Sequence, residues 1–143
     1  MTKEFVPYKL ALALKELEFD EPCFASYSPF KPYSLAYGYY TYGNCIAAPL
    51  YQQAFRFFRE KYNLVHEISW SKYKGGLNFD YDVFSLVLPT DDELGDEDDI
   101  ASDKSMETYD SLIDKGFRHH ESNTYEEAEL ECLIKLIEIV KNK

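Results

Sequence analysis

The chain lacks the features that would make its function easy to read. No apolar run approaches the about 18 residues that can cross a bilayer, and the start, MTKEFVPYKL, has neither the apolar core nor the small-residue cleavage site of a signal peptide. The expectation is a cytoplasmic protein that does not engage a membrane. Cysteine is scarce: Cys23, Cys45 and Cys132 are three in number, far apart, and form no C-x-x-C pair. That spacing argues against a zinc or redox centre and for small, reduced, buried apolar side chains. There is no G-x-S-x-G elbow, no glycine-rich phosphate loop and no H-E-x-x-H. No catalytic residue, metal or cofactor is therefore assigned, and the chain reads as a non-enzyme.

Basic charge is also sparse. The formal net charge is -11, and eight acidic residues fall between Thr90 and Asp103 with no basic one among them. Removing that run leaves -3 for all the rest, a nearly neutral body without the basic stripe that a nucleic-acid backbone requires. The run itself (Asp91, Asp92, Glu93, Asp96, Glu97, Asp98, Asp99 and neighbours) reads as a solvated, flexible loop over residues 90–104. It fails the EF-hand register, because Gly95 in the sixth place puts Thr90 first and Leu94 fifth.

What the chain does have is aromatic mass. Its 143 residues are 45% hydrophobic and 17% aromatic, with 13 tyrosines and 10 phenylalanines, enough for one self-folding domain over residues 1–143. Pro7 followed by Leu10, Leu14 and Leu17 predicts a helix from Pro7 to Leu17. CFASYS and SLAYGYYTY predict a hairpin, with Pro29 and Pro32 bracketing its loop, and CIAA a short extended exit. PLYQQAFRFFREKY predicts a helix stopped by Asn63, and LVHEISW and LNFDYDVFS two strands joined through Lys74-Gly75-Gly76. SMETYDSLIDKG predicts a short helix, FRHHES a strand, and Thr124 with Glu127 a capping box opening the last helix.

YQQAFRFFRE and YEEAELECLI share a Tyr-x-x-Ala start, and each follows a predicted hairpin. The expected fold class is α+β: a mainly antiparallel sheet with helices packed on one face, arranged as two hairpin-plus-helix units after an amino-terminal helix.

FDEPCF (Phe19 to Phe24), APLYQQAFRFFREKYNL (Ala48 to Leu64) and TYEEAELECLIKLIEIVK (Thr124 to Lys141) resemble small uncharacterised proteins of gut Bacteroidales and their phages and prophages. The resemblance implies a mobile-element accessory protein in a bacterial cytoplasm, and it transfers no catalytic residue.

The tyrosines of YGYYTYGN are the leading binding candidates. In an extended strand Tyr37 and Tyr39 share one face and Tyr40 and Tyr42 the other, so helices on one face leave a pair for contact. With Trp70 they suit a protein partner, or a second copy of the chain in a homo-oligomer, better than a nucleic acid. One alternative is an acidic nucleic-acid mimic that uses the acidic run to inhibit a DNA-binding host protein. Another is a small metal-dependent hydrolase around His66, His119, His120 and Asp80 or Asp82. Against the latter, adjacent histidines on a strand point apart, and Asp80 with Asp82 suits the wet side of a sheet.

Overall fold

Pro7, with φ of −59°, sits immediately before α1 (Tyr8–Glu16), and its carbonyl accepts the first helical hydrogen bonds from Leu10 and Ala11 at 2.9 Å each. These details come from a computed structural model that describes residues 2–38, 44–85 and 117–143. Ala11 and Leu14 turn inward. The helix closes with Glu18 in the left-handed region, φ 66°, so that the Phe19 N–H reaches back to the Leu14 carbonyl at 3.0 Å.

The first hairpin forms as β1 (Ala25–Ser28) and β2 (Lys31–Tyr37), antiparallel. The second strand starts earlier than expected, because only a tight turn separates the two. Pro32 then falls where the register shifts, between the Tyr27↔Leu35 and Ser28↔Lys31 pairs, a place that tolerates a residue without an N–H. The strand also stops sooner. Gly38, directly after β2, has φ of 112°, which glycine adopts readily. CIAA becomes β3 (Ile46–Ala48), which pairs with β1 and makes it the central strand of the order β2-β1-β3. Ala25, Ser26 and Tyr27 are all buried, and the Tyr27 hydroxyl donates to the Val6 carbonyl at 2.8 Å.

Pro49 and Leu50 lead into α2 (Tyr51–Tyr62), where Gln53 Oε1 accepts from the Leu50 N–H at 3.1 Å. Asn63 ends the helix in the left-handed region, φ 53°, as its sequence position predicts. Ten-residue strands β4 (Leu64–Tyr73) and β5 (Gly76–Ser85) follow, in register over their whole length. β6 (Phe117–Ser122) adds to β5, with one extra residue where Phe79↔Ser122 gives way to Tyr81↔His119.

Thr124 caps α3 (Tyr125–Lys141): its Oγ1 accepts from the Glu127 N–H at 3.2 Å, while Glu127 Oε2 accepts from the Asn123 N–H at 3.0 Å. Thr124→Ala is expected to cost about 1 kcal/mol, read as a lowered urea midpoint with an unchanged slope.

The fold is α+β, with antiparallel strands and helices packed on them. Among the described residues the strands divide into two three-stranded sheets rather than one. Each sheet precedes a helix, α2 or α3, but the orders β2-β1-β3 and β4-β5-β6 differ, so the two units are not copies of one topology. A single cluster joins them: Leu14 from α1, Tyr27 and Ala48 from the first sheet, Phe58 from α2, Val83 from the second sheet, and Leu133 and Leu136 from α3. The acidic run, the helix expected in SMETYDSLIDKG, and Tyr39, Tyr40 and Tyr42 lie outside the described residues.

Candidate functional site

Period-two alternation puts Leu64, His66, Ile68 and Trp70 of β4 on the same face as Val83, Tyr81 and Phe79 of β5, their cross-strand neighbours. The helices cover one end of this face. Phe55 of α2 stacks on His66 at 3.7 Å between ring centroids, and Tyr125 of α3 meets Phe79 edge-on at 6.2 Å. Beyond Tyr125 the hairpin runs on uncovered among the described residues, leaving Trp70 68%, Leu77 53% and Tyr125 itself 47% exposed. Trp70 thus lies opposite Phe79 in a contiguous apolar surface. Of the residues expected to bind, Trp70 is exposed on this face. Tyr37 is 53% exposed at the end of β2 on the other sheet, where it packs edge-on against Phe5 at 5.9 Å. The structure does not bring Tyr37 and Trp70 into contact.

Of the residues of the metal-hydrolase alternative, His66 is kept apart from Asp80 and Asp82, and the side chains of His119 and His120 lie outside what the structure describes. His66 faces α2, whereas Asp80 and Asp82 alternate onto the opposite face of the sheet. Asp82 is buried, so that face is not simply its wet side. No group of three potential ligands converges on a metal position among the described residues. Burial, with Arg59 nearby, holds the His66 imidazole below its ordinary 6.5. A base with a lowered folded pKa contributes stability above 6.5 that is lost as pH falls through the folded value. His66→Phe, which keeps an aromatic ring on Phe55, is expected to flatten that acid-side loss below pH 6.5, as seen in thermal midpoints measured from pH 7.5 down to pH 4.5.

A second feature was not legible as a site in the sequence. The amino ends of α2 and α3 meet at a cleft of about 490 Å³ lined by Lys3, Glu4, Leu50, Tyr51, Gln52, Glu126 and Glu129. Burial and the neighbouring Glu126 push the Glu129 carboxyl up from its ordinary value. Burial, then Glu129, pushes the Tyr51 phenol up to about 12, and burial followed by Glu129 also raises Tyr125. Glu129 therefore acts electrostatically on the first tyrosine of each helix. The signal was present in the shared Tyr-x-x-Ala start: aligning Tyr51 with Tyr125 and Ala54 with Ala128 sets Glu129 against Phe55, a carboxylate in an inward-facing place.

A wider depression of about 740 Å³, lined by Glu18, Phe19, Asp20, Glu21, Phe57, Glu60 and Lys61, is also acidic. Its charges serve the fold. Glu21 pairs with Arg56, Glu18 with Lys61 at 3.0 Å, and Lys61 also donates to the Leu17 carbonyl. FDEPCF is thereby fastened to α2, with Gln53 donating to the Pro22 carbonyl at 2.9 Å and Phe19 edge-on to Phe57. No family model matches the chain, and no curated protein or solved structure is similar enough to match it.

Proposed function

We propose that this protein is a non-enzymatic binding module that acts by protein–protein contact through the apolar face of the β4–β5 hairpin. The observation that carries the reading is Trp70, 68% exposed, beside Phe79, Leu77 and Tyr125 on one rigid, regularly paired hairpin. Large aromatic rings on a fixed backbone lose little conformational entropy on binding and dominate the energy of protein interfaces. Scattered exposed apolar residues are ordinary; several on one face of paired strands are what interfaces are made of. The resemblance of three segments to proteins of gut Bacteroidales, phages and prophages supports an accessory role for this contact in a bacterial cytoplasm.

The test is affinity capture from an extract of the native host with the wild-type chain and with Trp70→Ser and Leu77→Ser combined. Both positions are solvent-facing, so the variant is expected to keep its thermal midpoint within a few degrees while losing the captured partner, a loss on the order of 2 kcal/mol or more if Trp70 is an anchor. Equal recovery of the same partner by a folded variant removes this face from the reading.

A further inference from the structure

The cleft where α2 and α3 begin has more to offer than acidity. Among the described residues its carboxylates are Glu4, Glu126 and Glu129 and its one cation is Lys3, whose Nζ stands 4.0 Å from Glu126 with its side chain mostly in solvent. Glu129 makes no hydrogen bond or ion pair among the described residues. The second observation is Tyr51. Its side chain is only 7% exposed and lines the cleft, yet its hydroxyl has no hydrogen-bond partner among the described residues. Every wholly enclosed side-chain oxygen or nitrogen among the described residues has a partner, so the unpartnered Tyr51 hydroxyl, on a residue that lines the cleft, is not wholly enclosed. A largely buried ring that keeps its polar tip accessible beside a half-buried carboxylate with no partner among the described residues offers a ligand two polar groups held in place.

Charge and spacing define that ligand. Helix amino ends ordinarily favour anions, but Gln53, Thr124 and Glu127 already cap these two helices. Glu129 lies in the second turn of α3, where the helix dipole has faded. The carboxylates are too dispersed to form a metal ligand set, and a dispersed acidic rim with a phenolic acceptor suits a larger cation whose donors point in several directions.

We propose that this cleft binds an organic cation, an ammonium or guanidinium group of the kind presented by a lysine or arginine side chain. Lys3 is its intramolecular competitor, already drawn to the rim. The cleft adjoins Tyr125 across the first turn of α3, so a protein seated on the Trp70 face can supply the cation. Only the source of the cation rests on the contact reading proposed above; the site itself does not.

The probe is N-acetyl-arginine amide, a single guanidinium charge, titrated into the full chain while backbone amide shifts are followed by NMR. Saturable shifts are expected at Tyr51, Gln52, Glu126 and Glu129. Glu129→Gln, which keeps size and polarity, is expected to weaken binding ~10-fold, and Lys3→Ala to tighten it. Added salt is expected to weaken it as well. Absence of saturation, equal shifts with neutral N-acetyl-norleucine amide, or indifference to Glu129→Gln in a folded variant overturns the proposal. Calcium saturating these residues where the guanidinium does not would overturn it in favour of a metal. The Trp70→Ser, Leu77→Ser chain is expected to bind the probe normally, so failure of the contact face and failure of the cleft are separable.

Discussion

Replacing Phe58 with alanine is expected to remove about 3–5 kcal/mol of stability, one of the larger losses any single apolar truncation can cause here. Phe58 is fully buried on α2 and lies edge-on to Phe57 at 5.5 Å and tilted against Tyr62 at 5.9 Å. It belongs to the cluster that joins both described sheets and the three described α-helices, so the vacated volume is walled by several elements at once and cannot collapse by moving one of them. At this chain length the thermal midpoint is expected to fall by roughly 10 °C or more. Urea unfolding followed by circular dichroism checks it: the midpoint falls and the slope holds. Gln52→Ala, on the exposed side of the same helix, is the control and is expected to stay within about 0.5 kcal/mol. A Phe58→Ala chain as stable as that control would mean the two sheets do not share a core.

The second large effect depends on pH. Cys132 is fully buried on α3, and burial, with Glu129 and Asp82 contributing, raises its thiol to about 12. Cys132→Asp places a carboxyl in the same surroundings, where ionisation is opposed by desolvation and by two neighbouring acids. Its folded pKa will stand well above the ordinary 3.9 or so of an unfolded aspartate. Between those values the folded chain keeps the proton and the unfolded chain releases it, so stability falls as pH rises, by about 1.4 kcal/mol per pH unit. Relative to wild type, the variant is expected to be moderately weakened near pH 4 and severely weakened at pH 7. Cys132→Ala, similar in size and uncharged, should show no such slope. Urea midpoints of the three chains from pH 4 to pH 7 make the comparison. A flat difference across that range would mean that water reaches position 132.

The parts of the fold that were legible in the sequence are those fixed within a few residues. Pro7 and Pro49 set helix beginnings, Asn63 supplies a left-handed stop, and Thr124 with Glu127 closes a cap. Each acts through its own backbone geometry or a hydrogen bond to a near neighbour, so no knowledge of the distant chain is needed. Strand pairing obeys a different logic. CIAA reads as an exit because it is short, yet it finishes the first sheet by pairing with β1, a partner some twenty residues earlier. The division into two sheets likewise depends on which edges meet, which local pattern does not encode. Gly38 was visible as a glycine, but not that it would sit at φ 112° and end β2.

The candidate sites divide along the same line. Trp70 stood out in the sequence as the lone tryptophan closing an alternating run. The Glu129 cleft was not, since it draws on Lys3, Tyr51 and Glu129, which are joined only by packing. In the helix alone Glu129 is one more acid among several. Only the coincidence of two helix starts shows that it occupies the inward place held by Phe55 in α2.

Trp70 also settles how this protein can be watched. It is the sole tryptophan of the chain and stands largely in water before anything unfolds. Its emission in the native state is therefore already close to that of a solvated indole, and denaturation can add little red shift. A tryptophan-fluorescence melt would look nearly featureless even for a cooperatively folded chain. The same residue becomes an optical reporter of docking, because burial under a partner is the one ordinary event left that moves its emission to the blue.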